Sequence, residues 1–375
     1  MSRFRYAHAS GPTWRECLET CVTRLGRPGS GLGFLYFTDA LVPHAEKIVA
    51  ELRERTGIVD WVGTVGVGIL ATGTEYLDEP ALALMATDLR PDQYHVFSGR
   101  SRAPSTPGAA HFAVVHADPH TPDVSALIAD MSSKVESGYL VGGLSSSRSR
   151  TVQVAKDVIS GGLSGVLLST EVGVSTRLTQ GCSPLESKTG TAGPVRHRVT
   201  ECVSNVLVTL DGRPALDVFR EDIGDLLARD LERAAQFIHV GLSVSGSGQA
   251  ERRAGGDYLV RNLVAIDPQK KLIAVGDYPE RDSEILFCKR DRTSAREDLS
   301  RMLEELSAEI STPPSGALYF SCVGRGEHMF GRRGAELEQV RESLGDVPLV
   351  GFFCSGEISH DRLYGYTGVL TLFHD

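Results

Sequence analysis

The chain has 375 residues, 41% hydrophobic and 23% charged, with a formal net charge of −9 at pH 7. It is long enough for two domains and a sizeable core, and its modest, dispersed acidic balance argues against nucleic acid or an anionic membrane as partner. No apolar run approaches the roughly 18 residues of a bilayer span, and the opening MSRFRYAHASGPTW lacks the apolar core of a signal peptide, so a cytoplasmic location is expected. Seven irregularly spaced cysteines without a CxxC pair make neither a disulfide framework nor a structural zinc site. Cys17 and Cys21, four apart on a predicted helix, read as core residues.

In chain order, Thr13 and Glu16 form a capping box for a helix to about Leu25, ended by Gly26 and Pro28. GFLYFTD reads as a strand closing at Asp39, followed by a helix over about 43–56, a stop at Gly57 and the returning strand VDWVGTVGVGI. ALALMAT and YHVFSG add strands, and RSRAPSTPGAA is a polar, exposed loop. FAVVHAD then closes at Asp118, Thr121 caps a helix with Pro122 at its first position, Gly138 stops it, and YLVGGLSSS returns. TVQVA, GLSGVLLST and VGVSTRLTQ read as three consecutive antiparallel strands. Residues 181–194, punctuated by glycine and proline, mark the boundary between a half at 1–190 and a half at 191–375.

The second half opens with NVLVTLD, a helix begun by Pro214 and extending through DLLARDLERAAQ, and the strand FIHVGLSVSG. A meander of YLVRNLVAID, KKLIAVG and EILFCKR follows. Ser294 with Glu297 supplies a second capping box, and its helix carries an apolar face at 299, 302, 303 and 306. Residues 316–360 then read as a strand, a glycine-broken loop, a helix over about 334–344 closed by Gly345, and a second strand with its own glycine turn. LYGYTGVLTLF completes the chain.

This layout recurs. Asp39 to Gly63 and Asp118 to Gly142 are each 24 residues, and Gly57 to Gly63 matches Gly345 to Gly351 at six. A looser copy starts at NVLVTLD, and every copy ends in a Val-Gly pair, at Gly63, Gly142, Gly241 and Gly351. The expected fold class is therefore α/β: two related halves of mixed β-sheet with outer helices, built from strand, helix, strand units that end in Val-Gly turns.

TQGCSP at 179–184, LDGRPALDVF at 210–219, SCVGRG at 321–326, MFG at 329–331, GFFCSGEIS at 351–359 and the closing LYGYTGVLTLF carry a family resemblance. The chain resembles the FIST sensory proteins, with an N-terminal and a C-terminal FIST part, over nearly all its length from about Gly31. The resemblance implies a small-ligand sensor in signal transduction, with amino acids as suggested ligands and a histidine kinase or cyclic-dinucleotide enzyme as the signalling partner. Without an output module in these residues, a separately encoded partner is expected. One branch of the family implies haem as cofactor for nitric oxide sensing. Where the family's GE turn ends in glycine and proline, Ser359 and His360 stand here, so the pocket rim is expected to differ.

Two glycine turns at one sheet edge would bring Cys322, Arg325, Cys354 and Glu357 together beside exposed amides, which makes a pocket floor. Arg325 is suited to a ligand carboxylate, with Gly324 and Gly326 offering amides to the same anion; alternatively it caps a helix end or pairs with Glu357. The candidate ligand-binding set is Cys322, Arg325, Gly326, Phe352, Cys354, Ser355, Gly356 and Glu357. A thiol beside Arg325 would be activated, but no persuasive histidine base accompanies it, so an enzyme is not expected and the cysteines read as small apolar residues. His116, Asp118 and His120 alternate as metal ligands would, yet read as a solvated loop. Ser145 and its neighbours read as turn residues. Any of eleven histidines suffices as a haem ligand, and spacing does not choose among them. The glycine turns are not phosphate loops, because they lead into strand rather than helix.

Overall fold

The computed structural model describes residues 4–99, 110–186, 193–244 and 258–374. Most of the RSRAPSTPGAA loop and the middle of the 181–194 segment lie outside them. The chain forms two compact units, Met1–Thr179 with Arg296–Asp375, and Gln180–Ala295.

The first unit contains three six-stranded sheets, each built on one parallel pair. Leu32–Thr38 pairs with Asp60–Gly66, Phe112–Ala117 with Tyr139–Leu144, and Gly316–Cys322 with Leu349–Cys354. Parallel neighbours need a crossover, and helices supply it: Ala45–Thr56, Val124–Ser132 and Ala335–Leu344. Gly57 and Gly345 close the first and last of these by donating their amides to Arg53 O and Arg341 O. The middle helix starts later than its sequence implies. Its N-cap is Asp123, and the Thr121 hydroxyl instead accepts from Gly162 N.

Each parallel pair passes the strand that follows it to another sheet. Gly68–Ala71 leaves the first pair to join Leu349–Cys354, Glu357–Ser359 leaves the last pair to join Tyr139–Leu144, and Gln153–Ala155 leaves the middle pair to join Asp60–Gly66. This exchange explains the Val-Gly signature, which marks mid-strand positions rather than turns. Gly63, Gly142 and Gly351 each sit between the first strand of their pair and the incoming strand. A Cβ there would lie 1.7 Å from Leu35 O, 1.8 Å from Val115 O and 1.7 Å from Tyr319 O respectively. Gly241 differs. Its strand, Ile238–Ser243, is antiparallel to both neighbours, and an added Cβ would meet the side chains of Leu286 and Tyr258. The copy starting at NVLVTLD is therefore not a parallel unit.

The same exchange redraws the domain division. Strands at 316–322 and 349–354 share a sheet with 68–71, so the compact units cut the chain differently from halves 1–190 and 191–375. It also disperses the three strands read as consecutive neighbours: Gln153–Ala155, Leu163–Leu168 and Gly173–Gln180 each enter a different sheet.

Helix Trp14–Leu25 begins with the Thr13 hydroxyl accepting from Glu16 N and buries Cys17 and Cys21, as its sequence implies. The helix over Arg292–Glu309 starts earlier than the Ser294 box, because the Asp291 carboxylate accepts from Ser294 N at 2.8 Å. Its apolar face, Leu299, Met302, Leu303 and Leu306, is buried.

In the second unit, Glu284–Arg290, His197–Val203, Val206–Leu210, Leu272–Val275, Tyr258–Asp267 and Ile238–Ser243 pair in that order, and the last strand pairs back to the first. The ring is antiparallel throughout and encloses Val199, Leu207, Val240, Ile273 and Phe287. The helix from Pro214 runs over Ala215–Ala228 with a kink at Gly224, and a second helix, Leu231–Phe237, follows it.

Candidate functional site

The site lies at the end of the parallel pair Gly316–Cys322 and Leu349–Cys354, whose register sets Cys322 opposite Cys354. Beyond them the chain turns sharply. Val323 N donates to Cys354 O at 2.9 Å, Arg325 N to Cys322 O at 2.8 Å, and the short helix Gly326–Phe330 begins. The turn directs Arg325 inward, where it is 1% exposed.

A buried guanidinium needs a counter-ion, and Glu336 of helix Ala335–Leu344 provides it. Arg325 Nε donates to Glu336 Oε1 at 2.8 Å, with Nη2 in ion-pair contact at 2.6 Å. Tyr319 Oη also donates to Oε1, at 2.5 Å, while Ser321 Oγ and Gly326 N donate to Oε2 at 3.2 and 3.4 Å. Burial pulls the Arg325 pKa down, but the Glu336 charge outweighs it and holds the group above its ordinary value. Phe330 lies under the guanidinium, 5.2 Å from centroid to Cζ. After these contacts Nη1 still completes no hydrogen bond.

Two further carboxyls are buried around this pair. Glu357 is fully buried. Its Oε2 accepts from Thr367 N at 3.1 Å and Thr367 Oγ1 at 2.8 Å, and its Oε1 completes no bond. Burial raises its pKa to about 8, against the lowering effect of the Thr367 bonds and Arg325. Glu75 is raised to about 7, first by burial and further by the Glu336 charge. The Gly334 and Glu327 amides approach it without either oxygen completing a hydrogen bond. Arg325 thus acts on Glu336 and Glu357, with Glu336 alone tightly paired to it, while Glu75 feels the Glu336 charge and Arg333.

Above Arg325 opens a cavity of about 240 Å³ lined by Val67, Leu77, Asp78, Arg148, Val323, Arg325, His328 and Phe353. Arg148 is saturated: Nε and Nη2 donate to the two Asp39 oxygens at 2.9 and 3.0 Å, and Nη1 donates to Asp78.

Of the eight residues read from the sequence, Cys322, Arg325, Gly326, Cys354 and Glu357 gather beneath the cavity, but only Arg325 lines it. Gly326 does not offer its amide to a ligand, because Glu336 takes it. Phe352 points away. It stacks on Tyr36 at 5.3 Å in the core, while Phe353, on the opposite strand face, forms the wall. Ser355 is exposed and donates its amide to Leu144 O, and Gly356 O accepts from Leu144 N. The counter-ion is Glu336, not Glu357. Sequence reasoning missed Glu336, Glu75, Arg148 and Phe353; the one signal was Glu336 standing beside the apolar face of its helix.

Burial raises the Cys322 thiol to about 12, with Glu357 adding to it, and burial likewise raises Cys354 well above its ordinary value, so neither is a thiolate at neutral pH. His116 and Asp118 are no solvated loop. Tyr36 Oη meets His116 Nε2 at 3.1 Å in the core, where burial lowers the imidazole to about 3, and Asp118 accepts from Thr151 Oγ1 and Gly161 N. Among the described residues no group of three His, Cys, Asp or Glu side chains could hold a metal. Ser145 is buried and bonded to Thr64 Oγ1 at 2.6 Å, and Ser146 bridges Val67 N and Phe353 O. Ser359 and His360 do not form the cavity rim; His360 N donates to Leu140 O beyond the adjoining hairpin.

At this cavity and at His116 haem does not fit. His328 reaches a cavity smaller than a porphyrin, and His116 is packed among Tyr36, Phe320 and Phe352 with no room for a macrocycle.

The fold is mixed α/β, and a small cavity opens beside a buried guanidinium held by Glu336. The sequence matches the FIST N domain over residues 31–213 and the FIST C domain over 215–360. An uncharacterized protein of Mycobacterium tuberculosis is 30% identical across 84% of this chain and 83% of its own length, and one of Mycobacterium bovis is 28% identical across the same shares. The chain belongs to the FIST family, whose domains are consistent with small-ligand sensing in signal transduction. No helix among the described residues is long and apolar enough to cross a membrane.

Proposed function

We propose that the chain is a cytoplasmic sensory protein that binds an amino acid or other small carboxylate over Arg325 and passes its occupancy to a separate signalling protein, such as a histidine kinase or a cyclic-dinucleotide enzyme. One observation carries this reading. Arg325, held by Glu336, is among the residues that line the cavity, and its Nη1 completes no hydrogen bond. An orphaned buried donor is costly, on the order of 1–3 kcal/mol, and a ligand oxygen removes that cost. The apolar walls Val67, Leu77, Val323 and Phe353 suit the body of a small molecule. Ligand occupancy would then shift the populations of conformations that the partner distinguishes.

Thermal unfolding against a panel of amino acids, organic acids and haem tests the reading. A ligand that binds only the folded chain stabilises it by about 2.7 kcal/mol at a hundred times its Kd. A carboxylate that raises the Tm in proportion to concentration, and loses this effect in Arg325→Lys, supports it. A panel that leaves the Tm unmoved rejects it.

A further inference from the structure

In the second unit, one histidine fastens helix Ala215–Ala228 to the strands it covers. His197, at the start of strand His197–Val203, reaches Asp211 Oδ2 through Nδ1 at 2.7 Å and Asp222 Oδ2 through Nε2 at 2.8 Å. Asp211 is anchored independently. It stands in the turn after Val206–Leu210 at a φ of 51°, and its other oxygen accepts from Arg198 N at 2.9 Å. Asp222 has no such anchor, since among the described residues its carboxylate accepts from His197 alone. Two residues on, Gly224 leaves helical geometry at φ 80° and ψ 165°. Before that joint the helix buries Ala215, Leu216, Val218, Phe219 and Ile223; beyond it, through the end of Leu231–Phe237, Ala234 alone is fully buried. Residues 224–237 are therefore held by little apolar contact, the mark of a segment that opens at low cost.

We propose that His197 is a pH-sensitive latch for this segment: with both ring protons it ties Asp222 to the fixed turn at Asp211, and with one it lets residues 224–237 open. The latch belongs to the second unit and stands whether or not a ligand binds over Arg325. An imidazole with one proton donates to one carboxylate only. The anchored Asp211 keeps that bond, and the bare Nε2 then meets Asp222 Oδ2 as acceptor against acceptor. The other charges around His197 are committed elsewhere: Arg198 to Asp282, Glu284 to Arg196, Arg213 to Glu221 and Lys271 to Asp217. Strand Glu284–Arg290 presents the uncharged Phe287 ring, 5.9 Å away. Burial pulls the His197 pKa down, the two carboxylates outweigh it, and the balance lies above 6.5. The latch is thus fully closed below 6.5 and is lost as pH rises through the folded value.

Amide hydrogen exchange of the full chain, read by mass spectrometry at pH 5.5, 7.0 and 8.5 as protection factors so that intrinsic rates cancel, tests the latch. Protection over 224–237 should fall about tenfold or more between pH 5.5 and 8.5, while strands Val206–Leu210 and Leu272–Val275 keep theirs. Asp222→Asn offers Nε2 both an acceptor and a donor, so the contact survives either protonation state and the profile should flatten. His197→Gln removes the titrating group and should flatten it too, which keeps the test decisive if one variant folds poorly. Equal protection of 224–237 at the three pH values overturns the latch. A fall that persists in either variant assigns the effect to another group and overturns it as well, as does a fall of equal size in the two strands.

Discussion

Glu357→Gln separates the electrostatics of the site from its packing. The carboxyl is fully buried, and burial raises its pKa to about 8, so the folded chain holds a proton that the unfolded chain sheds near 4.5. A raised acid of this kind contributes stability that is complete below the unfolded value and is lost as pH rises through the folded one. Between pH 5.5 and about 8, at about 1.4 kcal/mol per pH unit, the loss is on the order of 3 kcal/mol. Glutamine keeps an oxygen for the Thr367 amide and hydroxyl, places an unpartnered NH₂ where Oε1 had no bond, and does not titrate. Its own cost, roughly 1–3 kcal/mol for the orphaned donor, is the same at every pH. Urea unfolding of the two proteins at pH 5.5, 7.0 and 8.5 should therefore show the variant gaining on the parent by about 3 kcal/mol. Glu75, raised to about 7, titrates in both proteins and cancels. A difference that stays constant across these three pH values would refute the claim that Glu357 is held neutral.

Glu336→Ala leaves the Arg325 guanidinium buried without its counter-ion, and should cost about 3–5 kcal/mol in urea unfolding; a loss below 1 kcal/mol would show the pair to be dispensable. Gly351→Ala drives a Cβ to 1.7 Å from the Tyr319 carbonyl oxygen, a backbone atom that cannot swing aside. It should cost more than the roughly 1–3 kcal/mol of ordinary overpacking, whereas Gly99→Ala, with nothing within 4 Å, should be silent in the same melts. His197 bonds Asp211 Oδ2 at 2.7 Å through Nδ1 and Asp222 Oδ2 at 2.8 Å through Nε2, a geometry that needs both ring protons. Burial pulls its pKa down, but the two carboxylates outweigh it and raise the group above 6.5. Its contribution to stability is complete below 6.5 and is lost as pH rises through the folded value. NMR titration should find the imidazole midpoint above 6.5 and lower in Asp222→Asn; a midpoint at 6.5 or below would contradict the clamp.

Local features were legible because local chemistry decides them. The Thr13 and Glu16 box, the stops at Gly26, Gly57 and Gly345, and the apolar face at 299, 302, 303 and 306 all follow from residues within a turn of one another. Strand partners were not. A period of two says that Gln153–Ala155 is a strand but not which sheet receives it, and three neighbours in sequence went to three sheets. The Val-Gly pairs were visible, but their cause lies in a carbonyl more than twenty residues away, and mid-strand closeness reads like a turn. At the site, the parallel register sets Cys322 opposite Cys354, and the turn after Cys322 brings Arg325 back by bonding its amide to Cys322 O. The facing of Phe352 and Phe353 was not readable, since both sides of that strand are buried and hydrophobicity alternates with nothing. Glu336 resembled any polar residue in a first helical turn. Only the fold shows that it is the carboxylate tightly paired with the guanidinium below it.

The central claim is that Arg325 receives a ligand, and its side-chain resonance reports on this directly. In a ¹⁵N spectrum of the full chain, the Arg325 Nε–Hε signal, identified by its loss in Arg325→Lys, should move saturably as a carboxylate that raises the Tm is added and should stay fixed with the corresponding uncharged amide. Saturable binding that moves other resonances while the Arg325 signal stays still would place the ligand elsewhere and contradict the account.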